Sequence, residues 1–348
     1  MGELRRRNVD CLLVTYPPNW FYLTGFTGES GVLVVAPGKT TLITDGRFTI
    51  QAKDECPGVR VQLQQRGLYS SVGAWLTQKK IRTVAFDAEQ WTVAQWKALR
   101  TAAGARCKLV EVPGLVESLR LKKEPQELAA MRKAAILAGD VVTHAVKLLK
   151  PGVTEIEIAA EIEYQMKQLG ASGPSFPSIV AFGRRSALPH ARPTSKRLRK
   201  SELVVLDLGV ILAHYCSDIT RTVHVGRASK RVREWYRGVQ DANEAARAAT
   251  QAGVACQDVD AAARNVLKQR GLDTYFVHST GHGLGLEVHE APRVARGQSI
   301  RLEAGNVITI EPGVYVEGVG GIRIEDDVVV GVQGSEVLTR IPRDLIEL

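Results

Sequence analysis

A stretch of twenty residues has a related counterpart 101 positions later in this 348-residue chain, and the duplication restricts the fold more than any other feature. When "PGVTEIEIAAEIEYQMKQLG" is shifted by 101 positions, six of its residues meet identical ones, among them Gly152 with Gly253 and Gly170 with Gly271. A period of this length is far longer than that of solenoid repeats. We therefore predict two related halves packed around a pseudo-two-fold axis.

Both halves have the same predicted order of two helices followed by two strands. Apolar residues at helical spacing and β-branched runs indicate where the elements lie. The helices are expected from about 127 to 150, 154 to 169, 229 to 251 and 257 to 270, and the strands at 203–210, 215–225, 306–316 and 321–330.

The part of the chain before the duplication has a different texture. Short β-branched runs alternate with amphipathic stretches from Cys11 to about Val112, which predicts a small α/β domain. Its strands are expected in "CLLVTY", "GVLVVAP", "TTLITD" and "TVAFDA", and its helices over 66–80 and 92–103. A linker rich in charge, proline and glycine covers 112–127. We place the domains at 1–118 and 119–348.

Composition excludes several classes of protein. The chain is 45% hydrophobic and 24% charged, as in globular enzymes, and no apolar run approaches the ~20 residues that cross a bilayer. The apolar run after the basic cluster at 5–7 is too short for a signal peptide, so we expect a cytoplasmic protein. The five cysteines are scattered without CxxC spacing, which predicts free buried thiols.

A net charge of +9 and the basic runs 192–200 and 227–237 raise the question of nucleic-acid binding. Neither run is accompanied by an RNA-binding aromatic motif or a recognition-helix signature. Charge runs are usually solvated faces, so we expect neither a nucleic-acid nor a membrane partner.

Two aspartates lie within β-branched sequence, where aspartate is disfavoured. In "DLGVILAHYCSDITRT", a hairpin with Leu212-Ala213 at its tip would place Asp207 directly opposite Asp218. Leucine and alanine are poor residues for a two-residue turn, so this register stays open. Two carboxylates with β-carbons ~5 Å apart repel each other, which indicates that a cation lies between them.

The second half repeats this arrangement in "VITIEPGVYVEGVGGIRIEDDVVV". Glu311 and Glu325 are equidistant from Gly318, so a glycine-rich hairpin loop would again bring two carboxylates face to face. Glycines around His282, in "HSTGHGLGLEVHEAP", would let its imidazole point into the same site. Two divalent cations balance four carboxylates, which predicts a binuclear centre. Such ligands suit Mn²⁺ first, with Co²⁺, Zn²⁺ or Fe²⁺ as alternatives.

Each feature also has a structural explanation when it is taken alone. Asp207 could end a strand, the acidic run 325–327 could be an exposed cluster, and a histidine in a glycine-rich loop is usually structural. The segment "GHGLG" lacks the spacing of a phosphate-binding loop. The duplication and the charge balance together favour the metal-site interpretation.

Four segments, "DLGVILAHYCSDITRT", "STGHGLGLEVHE", "IEPGVY" and "GIRIEDDVVV", resemble signatures of the pita-bread metallopeptidases, the family of methionine aminopeptidase, aminopeptidase P and prolidase. The segments "NWFYLTGFTGESGVLVV" and "TLITDGRFTIQA" are similar to the N-terminal domain of the proline-specific members. The resemblance implies an α+β chain in which a smaller α/β creatinase/prolidase-like domain precedes a C-terminal pita-bread catalytic domain. It also implies a homodimer.

The resemblance implies roles for nine residues. The implied metal ligands are Asp207, Asp218, His282, Glu311 and Glu325. Among them, Asp218 and Glu325 would bridge the two ions. His190, His278 and His289 match histidines that the family places around the site, and Arg323 would orient the ligands. The family commonly has glycine where His214 stands, which concerns the loop geometry rather than the ligands.

The implied activity is hydrolysis of the bond between an N-terminal residue and a following proline. A hydroxide bridging the metals would attack the carbonyl, and Glu311 would carry its proton to the leaving nitrogen. His190 and His289 would hold the carbonyl or the developing oxyanion. A dipeptidase must also bind a free carboxylate, for which Arg293 or the segment 192–200 could supply the cation.

Three alternatives stay open at this point. The substrate could be an Xaa-Pro dipeptide, as for prolidase, or a longer peptide, as for an aminopeptidase. We slightly prefer the aminopeptidase. Creatinase shares the fold but is a metal-free amidinohydrolase, and the complete ligand set argues against that chemistry. A non-catalytic binding protein on this scaffold would have no need of all five ligand types.

Overall fold

The computed structural model describes residues 2–348, which form two compact units that divide after Arg120. The first unit contains one six-stranded sheet and six helices. Its strands are β1 (Cys11–Val14), β2 (Val32–Ala36), β3 (Lys39–Thr44), β4 (Arg60–Leu63), β5 (Thr83–Phe86) and β6 (Lys108–Glu111). Its helices are α1 (Gly2–Arg6), α2 (Pro17–Thr24), α3 (Thr49–Glu55), α4 (Leu68–Gln78), α5 (Val93–Ala103) and α6 (Glu117–Arg120).

The sheet of the first unit has the order β4-β3-β2-β1-β5-β6 and mixes parallel with antiparallel pairs. Its four interior strands are the ones predicted from sequence, because their β-branched runs are buried. The two edge strands were not predicted. "RVQL" and "KLVE" are half exposed and carry polar residues, so their composition does not distinguish them from loops.

The second unit, from Leu121 to Leu348, contains four longer helices and fourteen short strands. The helices are α7 (Pro125–Leu148), α8 (Glu155–Gln168), α9 (Lys230–Ala249) and α10 (Cys256–Gln269). The strands are β7 (Gly173–Pro174), β8 (Ile179–Phe182), β9 (Leu203–Leu208), β10 (Val210–Leu212), β11 (Tyr215–Cys216), β12 (Ile219–His224), β13 (Gly281–Gly283), β14 (Glu290–Val294), β15 (Val307–Ile310), β16 (Gly313–Val316), β17 (Gly320–Arg323), β18 (Asp326–Val330), β19 (Ser335–Val337) and β20 (Ile346–Glu347).

Local signals explain where the helices of the first half begin. Pro125 is the first residue of α7, where its missing N–H would have no intrahelical partner. Thr154 caps α8 through a capping box with Glu157, in which each side chain accepts the backbone N–H of the other residue. These caps satisfy donors that would otherwise be left unpaired at the helix ends.

Each half of the second unit has its own hydrophobic core. In the first half, α7 and α8 pack on β8, β9 and β12 through residues such as Ile158 and Leu206. In the second half, α9 and α10 pack on β15 to β18 through residues such as Val259 and Ile308. Each fully buried aliphatic side chain contributes roughly 1.5–3 kcal/mol to stability. The predicted repetition of two helices followed by antiparallel strands is present.

The hairpin of the first half has a different register from the predicted one. Asp207 on β9 pairs with Thr220 on β12, and the two-residue turn lies at Ala213-His214. Both turn residues have positive φ, +49° and +71°, which matches the twist of the two strands. The prediction that Leu212-Ala213 forms the tip, with Asp207 directly opposite Asp218, is wrong, because the turn lies one residue further along the chain. The two aspartates are diagonal neighbours instead.

The hairpin of the second half has the predicted register. Ile310 pairs with Asp326 on one side of the acidic pair, and Gly313 pairs with Arg323 on the other. Both ladders share one register, in which Glu311 stands opposite Glu325. The loop at 317–319 contains Gly318 at φ +73°, a conformation that favours glycine.

Two further predictions are answered by the described residues. All five cysteines are buried thiols outside any disulfide, as predicted. Between residues 2 and 348, no helix has the length and apolar character that a membrane crossing requires.

Candidate metal centre

One cavity of the second unit, about 580 Å³ in volume, brings all nine sequence-predicted site residues together. Those residues are Asp207, Asp218, His282, Glu311, Glu325, His190, His278, His289 and Arg323. Arg293 also lines the cavity, as does Arg192 from the basic run 192–200. Nothing from the second basic run, 227–237, is among the lining residues.

The two acidic pairs meet because strand β12 of the first half adjoins residues 323–325 of the second half. The Glu325 N–H donates to the Thr220 carbonyl at 3.1 Å, and the Thr222 hydroxyl donates to the Arg323 carbonyl at 2.9 Å. Asp207, Asp218 and Glu325 are all buried. Each half therefore contributes buried carboxylates to one centre.

His282 reaches the centre from β13, between two glycines that let the backbone pack closely. A Cβ at Gly281 would lie 1.9 Å from the Thr309 carbonyl oxygen, so no larger residue fits there. The His282 Nδ1 lies 3.0 Å from the Gly283 carbonyl, which assigns the proton to Nδ1. Its Nε2 is then free to bind a cation, and it lies 3.5 Å from Glu311 Oε1 and 3.7 Å from Asp218 Oδ2.

The donor set fits a divalent cation. Ligand atoms of Asp218, His282 and Glu325 all lie within 4.8 Å of one another. The Oδ1 atoms of Asp207 and Asp218 are buried and have no hydrogen-bond partner. Buried carboxylate oxygens without a donor are costly unless something positive pairs with them. Oxygen ligands with one imidazole suit Mn²⁺ and related ions.

The electrostatics of the cluster indicate the same chemistry. Burial, together with the neighbouring carboxylates, raises the pKa of Asp218 and of Glu325 well above their ordinary values. Burial also raises the pKa of Glu311 to about 8 and lowers that of His282 to about 4. His282 is therefore neutral near pH 7, which is the form that binds metals. A cation would remove the repulsion among the carboxylates.

Arg323 connects the ligands from both halves. Its guanidinium donates to the Asp207 carboxylate and, at 3.0 Å, to the Thr220 hydroxyl. That hydroxyl donates in turn to Glu325 Oε2 at 2.6 Å. Arg323 and its contacts are buried, so the fork of N–H groups fixes the orientation of two carboxylates. These contacts favour the orienting role predicted for Arg323.

Three residues around the ligands were not predicted. Thr220 is described above; Asp327 Oδ2 accepts the Asp218 N–H at 3.1 Å, and the Tyr315 hydroxyl accepts from Arg323 at 2.6 Å. Two of them could have been found from the sequence, because side chains two residues apart in a strand point to the same face. Thr220 is two residues after Asp218, and Asp327 is two residues after Glu325, so each lies on the same strand face as a ligand.

The three predicted catalytic histidines differ in their surroundings. Both nitrogens of His278 are occupied, because Nδ1 lies 2.8 Å from the Ser279 carbonyl and Nε2 lies 2.9 Å from the Tyr315 hydroxyl. The ring of His289 lies 4.3 Å from that of His282, measured between centroids. His190 is exposed at the cavity, and within residues 2–348 its imidazole makes no hydrogen bond.

Comparison with known families decides the class of this centre. Residues 129–331 match the model described as metallopeptidase family M24, which spans more than half of the chain. The chain belongs to metallopeptidase family M24. Residues 2–122 match the creatinase/prolidase N-terminal domain. The predicted family, fold class and enzyme class are therefore confirmed.

Individual relatives of this M24 peptidase are similar along their whole length. A Bacillus subtilis protein named uncharacterized peptidase YqhT is 39% identical, and the similarity covers 98% of this chain and 96% of that protein. Among solved structures, an Xaa-Pro dipeptidase from Bacillus anthracis matches with a TM-score of 0.96 and 37% identity, over 100% of this chain and 97% of the other. An X-Pro aminopeptidase from Thermotoga maritima matches with a TM-score of 0.93 and 34% identity, over 99% and 100%.

Proposed function

We propose that this M24 peptidase hydrolyses the bond between an N-terminal residue and a following proline, using two divalent ions. The observation that carries the proposal is the meeting of two acidic pairs and the His282 Nε2 at one cavity, with buried carboxylate oxygens left unpaired. The similar structures named Xaa-Pro dipeptidase and X-Pro aminopeptidase support the choice of substrate class.

The residues that would hold the ions are Asp207, Asp218, His282, Glu311 and Glu325. Mn²⁺ is the ion that we propose first, because the set is rich in oxygen and has a single imidazole. When bound, two such ions would lower the pKa of a coordinated water and polarise the scissile carbonyl.

Glu311 is the residue that we propose for proton transfer. Its side chain is 16% exposed, so it faces the cavity rather than the core. Its hydrogen-bond neighbour is the Thr309 hydroxyl at 3.4 Å from Oε1, which leaves Oε2 available to a proton. A carboxylate there can take a proton from the attacking water and give it to the leaving proline nitrogen.

His190 and His289 are proposed donors to the substrate carbonyl. Both are exposed at the cavity, and a donor aimed at a developing oxyanion lowers the barrier by about 2.7–4 kcal/mol in other hydrolases. His278 has both nitrogens occupied, so we assign it a different role, which is to hold the Tyr315 hydroxyl in place.

The cavity has a wall suited to a pyrrolidine ring. Phe176, Pro177, Ile179 and Pro189 line it alongside the charged residues. The proline nitrogen of an Xaa-Pro bond carries no hydrogen, so the site needs no acceptor for it. An apolar surface next to the ligands therefore favours proline after the scissile bond.

Arg293 and Arg192 favour a dipeptide over a longer substrate. Both residues line the cavity, and neither side chain has an acidic partner among residues 2–348. A dipeptide presents a free carboxylate beside its proline, and a charge-assisted pair with arginine would bind it. This placement reverses the slight preference for an aminopeptidase that the sequence suggests.

Product analysis by mass spectrometry tests the proposal. Protein loaded with Mn²⁺ is incubated with an Xaa-Pro dipeptide, an Xaa-Pro-Xaa tripeptide and an Xaa-Ala-Xaa control. We expect cleavage only at the first bond of the proline peptides, with the dipeptide cleaved faster. Cleavage of the alanine control at an equal rate, or of no peptide with any metal, would contradict the proposal.

A matched pair of arginine variants tests the dipeptide assignment. Arg293→Met should raise the KM for the dipeptide by about 10- to 100-fold, because a hydrogen bond to a charged group is lost. The tripeptide, whose proline carboxyl is an amide, should be affected less. Arg296→Met, an exposed neighbour outside the cavity lining, is the control. An equal loss for both substrates would exclude carboxylate recognition by Arg293.

A further inference from the structure

Each half of the second unit, which we now call the catalytic unit, has one buried carboxylate on its second helix that does not face the cavity. Glu155 is the first residue of α8, and Asp260 lies in the second turn of α10. Both residues are 0% exposed, and neither lines the cavity. A buried carboxylate is costly unless its oxygens accept hydrogen bonds, so the partners of these two show what they hold.

Glu155 holds both ends of the segment 182–194, which we call the first histidine loop. At one end, its Oε1 accepts the Phe182 N–H at 2.9 Å. At the other, its Oε2 accepts the Thr194 N–H at 2.9 Å and the Thr194 hydroxyl at 2.6 Å. Arg185 bridges the middle, because it pairs with Glu155 at 3.0 Å and donates to the Arg192 carbonyl at 2.6 Å.

His190 depends on this loop for its position. Its imidazole is exposed and makes no hydrogen bond within the described residues 2–348, so no side-chain partner orients it. The backbone next to it is fixed by the Arg323 guanidinium, which donates to the Pro189 carbonyl at 3.3 Å. The shape of the loop, and therefore its closure by Glu155, decides where the imidazole stands.

Asp260 holds the segment 276–282, which we call the second histidine loop. Its Oδ1 accepts the Thr280 hydroxyl at 2.8 Å and the Thr280 N–H at 3.2 Å. Its Oδ2 accepts Arg264 at 2.7 Å, and Arg264 donates to the carbonyls of Phe276 at 3.2 Å and His278 at 2.5 Å. The Thr280 carbonyl accepts the Glu311 N–H at 2.8 Å, which connects this loop to a proposed ligand.

The two arrangements share their chemistry but not their position in the repeat. Each consists of an acid on the second helix, an arginine that donates to loop carbonyls, and a threonine of the loop. The 101-residue shift of the repeat places Glu155 on Cys256, whereas Asp260 lies one helical turn later. Similar anchors at unequal positions indicate that holding the histidine loops is what the two halves have in common.

We propose that Glu155 and Asp260 are positioning residues that fix the two histidine loops for catalysis, each acting on the loop of its own half. The catalytic part of this proposal rests on the proposed peptidase function. The structural part does not, because each anchor predicts a local change of its own loop and no change of the other.

Hydrogen–deuterium exchange measured by mass spectrometry tests the structural part without reference to activity. In Glu155→Gln, amides at 183–194 should exchange faster while those at 277–282 keep their protection; Asp260→Asn should give the converse. Glu161→Gln and Asp258→Asn, exposed positions on the same two helices, are the matched controls. If the acid variants do not fold, Thr194→Val and Thr280→Val replace them, because each removes a threonine hydroxyl that donates to the anchor; Thr194→Val also removes the acceptor of the Lys196 N–H.

Kinetics with the Xaa-Pro dipeptide test the catalytic part. Glu155→Gln should lower kcat by about 10- to 100-fold, with KM and metal content near those of the unmodified protein. In a His190→Ala background the same change should lower kcat no further, because its effect passes through His190. A merely structural role would leave the two losses additive.

The outcomes separate the two proposals. Unchanged exchange in both loops, or equal release of both loops by either variant, would overturn the anchor. Additive losses in the double variant would overturn its catalytic role. An unmodified protein that cleaves no proline peptide would overturn the proposed function and the catalytic role together, while exchange would still decide the anchor.

Discussion

The two acidic hairpins of the catalytic unit have the same topology and different geometry. In the first half, a two-residue turn of non-glycine residues closes the strands, and Asp207 stands opposite Thr220. In the second half, a glycine-containing loop closes the strands, and the register places Glu311 opposite Glu325. Duplication of the fold therefore does not impose duplication of the metal-binding geometry.

The difference explains how the halves are connected. Because Asp218 precedes β12, Thr220 takes the position opposite Asp207. The Thr220 hydroxyl then lies between Arg323 and Glu325, and it hydrogen-bonds to both. One polar residue of the first half thus joins the carboxylates of both halves through a single guanidinium.

The largest expected effect comes from removing one ligand from each half. Asp218→Ala and Glu325→Ala should each abolish binding of both ions and lower activity by more than about 100-fold, which exceeds the usual effect of residues outside the coordination sphere. Metal analysis of the purified variants and the dipeptide assay measure this. Glu317→Ala, in the exposed loop of the second hairpin, is the control. A variant that keeps two ions would exclude that half from the centre.

The link between the halves should be the next most sensitive feature. Arg323→Lys keeps the charge but loses the fork, so we expect an activity loss of about 10- to 100-fold. Thr220→Val should produce part of that loss, since it removes the hydroxyl that links Arg323 to Glu325 but leaves the Arg323–Asp207 pair in place. Steady-state kinetics and metal titration calorimetry measure both variants. Arg340→Lys, 68% exposed, should behave as the unmodified protein does.

The metal-free protein should lose stability as the pH rises from 6.5 to 8. Burial raises the pKa of Glu311 to about 8, so the folded state keeps a proton that the unfolded state releases, and stability falls by about 1.4 kcal/mol per pH unit for each such proton. The lowered pKa values of His278 and His282, about 4 each, act with the opposite sign only below their ordinary 6.5.

Thermal unfolding at several pH values, with and without Mn²⁺, measures this dependence. Added metal should restore the Tm most strongly near pH 8, because the ions replace the retained protons. A metal-free Tm that rises between pH 6.5 and 8 would mean that the folded state does not hold the pKa of Glu311 above its ordinary value.

The turns of the two hairpins should give the smallest effects, with opposite signs. His214→Gly relieves a positive φ of +71°, and the unfolding free energy should rise by at most about 1 kcal/mol. Gly318→Ala introduces a side chain at φ +73° and should cost about 1–2 kcal/mol. Chemical denaturation measures both changes. A fall in the unfolding free energy of His214→Gly would show that its imidazole contributes to the structure.

Much of this architecture could be predicted from the sequence. The helices of the catalytic unit and the register of the second hairpin were predictable, because apolar periodicity and glycine positions report directly on backbone geometry. The co-location of His282 with the acidic pairs followed from the resemblance and the charge balance. These are properties of short segments or of the whole set of charges.

Other features could not be predicted, for physical reasons. The register of the first hairpin depends on Ala213 and His214 adopting left-handed conformations, which their residue types do not favour. The edge strands of the N-terminal unit are half exposed and lack an apolar pattern. The anchors at Glu155 and Asp260 depend on contacts with residues up to 39 positions away, which no local pattern contains.

The most direct test of the central claim is a count of ions in crystals of the Mn²⁺-loaded protein, using anomalous diffraction at the manganese absorption edge. We predict two peaks per chain, both among the carboxylates that the two halves contribute and one of them beside the His282 Nε2. A single peak would contradict the binuclear centre. Peaks that contact the carboxylates of only one half would contradict the convergence of the two hairpins on one site.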